Sequence, residues 1–283
     1  MAHVVVPEAE ALLDKEIKVL DRGFIRLVDY MGGDSRIVQS ARVSYGKGTK
    51  SVREDEALID YLISHQHTSP LEQVVLTFHC KMPIFVARQW IRHRAARVNE
   101  ISGRYSVMED EFYTPDESTI QYQSKDNRQG RNPEEVPADL RQKVLRMLTI
   151  GQQLAYADYQ TLIEADIARE LARINLPLSL YTQWYWQIDL HNLLHFLQLR
   201  MDEHAQWEIR QYANAMAEIT RAVAPLAFKA FETHILNSIR FSGKEIQALA
   251  ANLQGQAHDL KGIHRVEYEA KLKKFLPESK TGQ

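Results

Sequence analysis

The chain contains one cysteine, Cys80, in 283 residues. A single thiol excludes an intrachain disulfide and any CxxC redox or metal pair. It fits a reducing compartment. No apolar run is long enough to cross a bilayer as a helix. Residues Met1 to Glu8 have no basic start, and their apolar run stops at Pro7, so they do not read as a signal peptide. Neither sign of charge prevails: 35 Lys and Arg face 37 Asp and Glu, for a formal net charge of -2. A domain that coats nucleic acid usually shows a basic excess, so no nucleic-acid partner and no membrane partner are expected. Internal repeats and low-complexity tracts are also missing. What is left is a cytoplasmic globular protein, with an ordinary apolar fraction of 45%. The length allows one large domain or two small ones.

Against that neutral background one stretch stands out. Arg92, His93, Arg94, Arg97 and Arg104 crowd around a single acid, Glu100, with Ser102-Gly103 between them. A solvated surface helix would interleave Glu and Lys to relieve such repulsion. Here the relief is missing, which points to a small, multiply charged anion held locally.

Periodicity places the stretch in a mixed chain. Phe24 to Tyr30 reads as a strand after the Asp21-Arg22-Gly23 turn, and Val74 to His79 as another after Ser69-Pro70. Val52 to Ser64 has apolar residues at helical spacing. Ile84 to Ala96 reads as a helix carrying the arginines, with Arg88 and Arg92 on one face and Gln89 and His93 on the next. Ser102 to Tyr105 begins an extended piece. Residues 106–136 are polar and turn-rich and read as a mobile connection or lid. The helical period returns from Pro137 to Leu171, breaks at Leu176-Pro177-Leu178, and runs again from Asp189 to Ala224, stopped by Pro225. The tail beyond Gly243 is helical in pattern and reads as an appendage.

Three constellations carry chemistry. Arg88, Gln89, Arg92 and Arg94, followed by Ser102-Gly103-Arg104, suit a phosphate: guanidinium forks donate paired hydrogen bonds, and glycine lets the backbone approach. The segment His65 to Glu72 is weak alone, since a Ser before Pro can simply begin a turn. His191 and His195, four apart on one helix face, could with His204 hold a divalent metal. That signal lacks an HExxH and an evident carboxylate ligand, so no metal is expected. Arg200 sits in an apolar helical run. An arginine there is paired or contacts a ligand, because burying it alone is costly.

Taken in order, these pieces resemble the flavin-dependent thymidylate synthases. Arg92-His93-Arg94 through Asn99-Glu100, Ser102 and Arg104 is similar to the family signature RHRxxSxNExSxR, with Arg97 standing where the pattern has its first serine. His67 to Glu72, Arg88-Gln89-Trp90, Arg173 to Pro177, and Leu199 to Arg210 match further family segments, so the likeness covers roughly residues 22 to 240. The resemblance implies an α+β fold: a single mixed domain with a small antiparallel sheet and long helices over 22–242, between an N-terminal extension (1–21) and a C-terminal helical extension (243–283). It also implies a homotetramer with active sites between subunits. The implied reaction is methylation of dUMP, with methylenetetrahydrofolate as carbon donor and FAD, reduced by NADPH, as hydride source.

Carried over residue by residue, the resemblance assigns FAD to Arg92, His93, Arg94 and Glu100, with His67 and Ser69. Asp189, Leu190, His191 and His195 fall at further flavin positions. It assigns dUMP to Arg88, Gln89, Trp90, Ile91 and Arg92, then to Glu100, Ile101, Ser102, Gly103 and Arg104, and to Arg173 and Arg200. Arg200 is the catalytic candidate, a cation at the uracil edge that favours ionised N3 and so enriches C5. Ser102 is read as a binding group, not a nucleophile, since an unactivated serine needs a base in reach. Competing readings are a thymidylate synthase using Cys80 as nucleophile, a polynucleotide-binding module, and a His-cluster metal hydrolase.

Overall fold

A computed structural model of the chain describes residues 4–43, 52–125, 130–132 and 134–275. It divides into two compact units, 1–232 and 233–283.

The first unit opens with a single helical turn, α1 (Pro7–Glu10), and the antiparallel pair β1 (Glu16–Val19) and β2 (Gly23–Met31). Gly23 sits where an added Cβ would meet the Tyr212 hydroxyl and the carbonyls of Val19 and Lys81, so only glycine fits this close approach. Two helices follow, α2 (Asp34–Arg42) and α3 (Val52–Ser64). The second strand of the sequence reading runs longer than expected, as β3 (Val75–Pro83). It leads straight into α4 (Ile84–Trp90) and then β4 (Ala96–Glu100).

This corrects the expected arginine helix. It ends at Trp90, and the signature continues through a tight turn into a strand. The backbone N–H of His93 still bonds to the carbonyl of Trp90 (3.0 Å). Beyond that, Arg97-Val98-Asn99-Glu100 take a ladder with β7 (Tyr181–Asp189). The β-branched Val98 and the partner strand β7 favour extension there over helix.

The sheet order is β1-β2-β3-β7-β4, antiparallel throughout. β7 passed unread in the sequence. Its inward residues Trp184, Trp186 and Ile188 alternate with Gln183, Tyr185 and Gln187, and only the former are buried. Trp90 is fully buried among them, edge-on to Trp184 and Trp186 and stacked on Phe196 at 5.1 Å. That aromatic cluster joins α4 to the sheet, so the turn after Trp90 starts from a fixed point.

Between β4 and α5 (Ala138–Glu164) lie two short strands, β5 (Tyr122–Gln123) and β6 (Arg131–Asn132), which pair with each other. Residues 126–129 and 133, part of the expected lid, lie outside the described residues. The described remainder is tied down, contrary to the mobile connection expected. Met108, Phe112, Tyr113 and Val136 are buried, and Arg131 pairs with the buried Glu208. Ser102 to Tyr105 form a turn and not an extended piece, with the N–H groups of Tyr105 and Ser106 both bonded to the Ser102 carbonyl.

After α5 come α6 (Arg169–Ala172), a 3-10 turn at Arg173–Asn175, and β7. The single helix expected from 189 to 224 is two: α7 (Leu190–Arg200) and α8 (Trp207–Val223), followed by α9 (Pro225–Phe231). The break at 201–206 has neither Pro nor Gly to announce it. Helices α7 and α8 pack together, α7 against β7 and α8 against β1 and β2.

The second unit holds α10 (Gly243–Leu253) and α11 (Gly262–Phe275). Ser242 and Glu245 form a reciprocal capping box at the start of α10. Ala248, Leu260 and Tyr268 make its small core, and Lys271 donates to the buried Glu245 carboxylate at 2.6 Å.

Candidate active site

The end of α7 meets the turn after α4. Arg200 lies one turn of chain beyond Phe196, whose ring is anchored in the Trp90 cluster, so its stem leaves the core at a defined place. Its Nε donates to His93 Nε2 at 3.0 Å, and its Nη2 donates to the Gln89 carbonyl at 3.3 Å. These partners are more than a hundred residues away in sequence. Burial lowers the Arg200 pKa somewhat, but a guanidinium stays charged in any such setting.

His93 answers that cation. Burial, then Arg200 and then His195, push its pKa down to about 4. It is therefore neutral at physiological pH, and because it accepts at Nε2 its proton sits on Nδ1. Its ring stands edge-on to Phe196 (4.9 Å between centroids) and His195 (6.2 Å). Around these groups opens a cavity of about 330 Å³, lined by Arg92, His93, Arg94, His195 and Arg200 together with Ala95, Ile188, Asn192 and Leu199. Asn192 is oriented by Asp189, which caps α7 by accepting from the Asn192 N–H (2.9 Å) and side-chain amide (2.7 Å).

Arg88, Arg92, Arg94 and Arg97 form no ion pair among the described residues. All four are exposed. Arg92 and Arg94 share the cavity wall with Arg200, and guanidinium groups gathered without counter-charges are what an anionic ligand needs. The donor set therefore fits the pyrophosphate and phosphate groups of nucleotides, FAD among them.

The remaining signature residues form a second patch. Glu100 ends β4, and its carboxylate accepts from Thr182 Oγ1 at 2.6 Å. Ser102 Oγ accepts the Arg104 N–H at 3.3 Å, a local turn bond, and no base reaches that hydroxyl among the described residues. Gly103 is buried against Arg173, where an added Cβ would stand 3.1 Å from Arg173 Cδ and 3.0 Å from Met108 Sδ. Arg104 pairs with Glu170 at 3.3 Å on the surface. Gln89 hydrogen-bonds Gln206 at the start of α8.

Other predicted residues fall less directly. The side chains of Trp90 and Leu190 are fully buried in the core, so ligand contact there would run through backbone. Ile91 is exposed. His67 is exposed and stacked on Tyr61 at 5.8 Å, and Ser69 is exposed just before a 3-10 turn (Leu71–Gln73) that packs on α7. His191 is half-buried on α7. His204 pairs with Asp202 at 2.8 Å, and no group of three or more metal-ligating side chains occurs among the described residues. Cys80 is fully buried, and burial drives its thiol pKa well up, which leaves no thiolate to attack. A larger depression, of about 620 Å³, runs along the outer side of β1 and α8 past Lys18, Asp21 and Trp207 and includes no signature residue. The sequence reading missed Asn192, Gln206 and Thr182. Gln206 was within a quoted motif, but a lone amide gives no hint of its partner.

Comparison with known proteins identifies the family. Residues 26–226 match the model "Thymidylate synthase complementing protein", and residues 239–275 match "Thymidylate synthase ThyX C-terminal domain". A flavin-dependent thymidylate synthase of Treponema denticola is 62% identical over 92% of this chain and 98% of its own. One from Thermus thermophilus is 56% identical over 86% of this chain and 88% of its own. A solved structure of the UMP/dUMP methylase PolB from Streptomyces cacaoi, bound with 5-Br dUMP, superposes with a TM-score of 0.70 at 31% identity, covering 77% of this chain and 98% of that one. The fold is that of a thymidylate synthase-type enzyme. The chain belongs to the flavin-dependent thymidylate synthase family.

Proposed function

We propose that the protein converts dUMP to dTMP, taking a methylene group from methylenetetrahydrofolate and reducing equivalents from NADPH, and releasing tetrahydrofolate. The observation that carries this reading is the meeting of Arg200 with His93 and Gln89 at the arginine-lined cavity. Bound FAD would supply the hydride that completes the methyl group. Arg92, Arg94, His93 and His195 would hold it, with Asn192 and Asp189 at the base of α7, and with His67 and Ser69 from the segment packed on that helix.

The chain's own residues do the rest. Arg88, Arg92, Arg104 and Arg173 bind the nucleotide phosphate, with the Ser102-Gly103 backbone close against it. Two of Arg200's donors are already spent on His93 and Gln89, so its remaining edge faces the uracil in a fixed direction. A cation fixed there stabilises negative charge spread over N3 and O4 and raises electron density at C5, a benefit larger in the transition state than in the bound ground state. Neutral His93 holds that cation by accepting from it. A protonated imidazole would repel it.

We further infer a homotetramer whose sites lie between subunits, with residues 243–283 as an appended helical unit. Two features support the assembly. The nucleotide patch and the flavin cavity adjoin an exposed sheet edge, β4. The helix α5 also leaves Met147, Ile150 and Leu154 exposed at helical spacing, at 65%, 48% and 63%, an apolar stripe of the kind that marks interaction surfaces when it is contiguous.

The test is tritium release from C5-labelled dUMP, with and without NADPH and methylenetetrahydrofolate. Release that needs the folate and yields dTMP supports the reading. UMP assayed in parallel separates it from a UMP/dUMP methylase of the PolB kind. Protein that binds no FAD and releases no tritium overturns it.

A further inference from the structure

Glu100 is the one acid in a run of five basic residues, and it could pair with any of them. The only hydrogen bond to its carboxylate among the described residues comes instead from Thr182, whose Oγ1 donates to Oε1 at 2.6 Å. That length is typical of O–H···O⁻ bonds, at about 2.5–2.7 Å. Thr182 lies on β7, only 3% exposed, opposite Met82 of β3. The ladder needs only its backbone, and a valine would suit the strand equally well. The hydroxyl has no other partner among the described residues. Strand alternation keeps the nearest arginine on β4 away from the carboxylate. Glu100 shares a sheet face with Trp184 and Thr182, whereas Arg97 projects to the opposite face with Gln187.

We propose that Thr182 is a positioning residue that fixes the Glu100 carboxylate, holding Oε1 and leaving Oε2 to accept from a ligand N–H or O–H at the nucleotide site. A carboxylate freed from this hold would swing to a neighbouring guanidinium. That would cost the ligand an acceptor and also a phosphate-binding arginine. The inference rests on the proposed function, because its readout is dUMP turnover.

The test compares the tetrahydrofolate-forming activity of intact holoenzyme in four forms: wild type, Thr182→Val, Thr182→Ser and Glu100→Gln, plus the Thr182→Val/Glu100→Gln pair. Valine keeps the shape and loses the donor, while serine keeps the donor. A hydrogen bond to a charged group supports a loss of about tenfold or more in kcat/KM for dUMP in Thr182→Val. The thermal midpoint should move by no more than about 4 °C. Serine should restore most of the activity. In the Glu100→Gln background the valine should cost less than it does alone, since the amide oxygen can accept only a neutral, weaker hydrogen bond from Thr182. Should the valine variant fail to fold, Thr182→Cys, a weak donor of similar size, gives the same comparison. Wild-type kcat/KM in the valine variant overturns the proposal, as do losses that simply multiply in the double variant or a serine variant as impaired as the valine. An inactive wild type would instead overturn the function itself.

Discussion

Arg200 has three tasks for its guanidinium and meets two of them within the protein, at His93 and at the Gln89 carbonyl. Replacing it with alanine removes the cation proposed to face the base but none of the groups proposed for the flavin phosphates. Arg200→Ala should therefore lose about a hundredfold or more in dTMP formation while FAD still co-purifies, as read from absorbance and turnover on one sample. Arg200→Lys restores charge but not the fork, and should recover only a fraction. Ser102 is the contrasting case. Its hydroxyl closes a local turn on Arg104, and no base is bonded to it. Ser102→Ala should keep turnover within about tenfold of wild type; complete loss with dUMP still bound would restore a nucleophilic role. His93 sets a pH dependence. Its folded pKa, about 4, lies below the ordinary value of 6.5, so between those values the unfolded chain binds the extra proton. The stability due to neutral His93 is whole above about pH 6.5 and is lost as pH falls toward about 4. His93→Asn should flatten the denaturant midpoint over that window relative to wild type. An unchanged slope would mean His93 is not held neutral.

At the scale of elements, what could be read from the sequence followed the strength of local signals. The strand over 24–30 and the helix over 52–64 rest on periodicity that tertiary packing reinforces, and both are present. The signature was legible as chemistry but misplaced as structure. A helix through Ala96 would have spread the arginines around a cylinder. The turn at 91–95 and the strand at 96–100 instead separate the cluster at the cavity, proposed for the flavin, from the cluster at the end of β4, proposed for the nucleotide. No local propensity announces that division, because β4 exists through its pairing with β7, some ninety residues later. The same holds for Thr182 and Gln206, whose meaning lies wholly in a distant partner. The turn holding Gly103 allows a direct check. The atoms nearest to an added Cβ there belong to two flexible side chains, Met108 and Arg173. Gly103→Ala should therefore fold normally, with little change in melting temperature, but displace Arg173 and raise KM for dUMP several-fold. A large loss of stability with unchanged KM would mean the glycine serves the turn and not the ligand.

Over the whole molecule, the surface is unevenly finished. In α5 only Gln152 and Tyr159 are buried, while Met147, Ile150 and Leu154 stand in solvent. Gly151 sits among them with nothing within 4 Å of where its Cβ would be. A solvent-facing helix would gain about 0.5–1 kcal/mol from alanine at that position, so for an isolated subunit the glycine is a cost with no return. It makes sense if another helix approaches there closely, since a missing side chain lets two backbones draw together. The two explanations predict opposite results. If α5 faces only water, Gly151→Leu should be neutral or mildly stabilising, and mass by light scattering should equal that of wild type. If α5 is the contact between copies, the leucine should fit the isolated subunit yet force the copies apart. Mass should then fall toward a dimer or monomer and FAD occupancy should drop. dTMP formation should drop with it if the sites lie between subunits, as proposed. Gly151→Ala separates steric from conformational effects, with the smaller side chain giving a smaller loss of mass. A fully active Gly151→Leu tetramer would exclude this face from the assembly and leave the exposed β4 edge as the place where subunits meet.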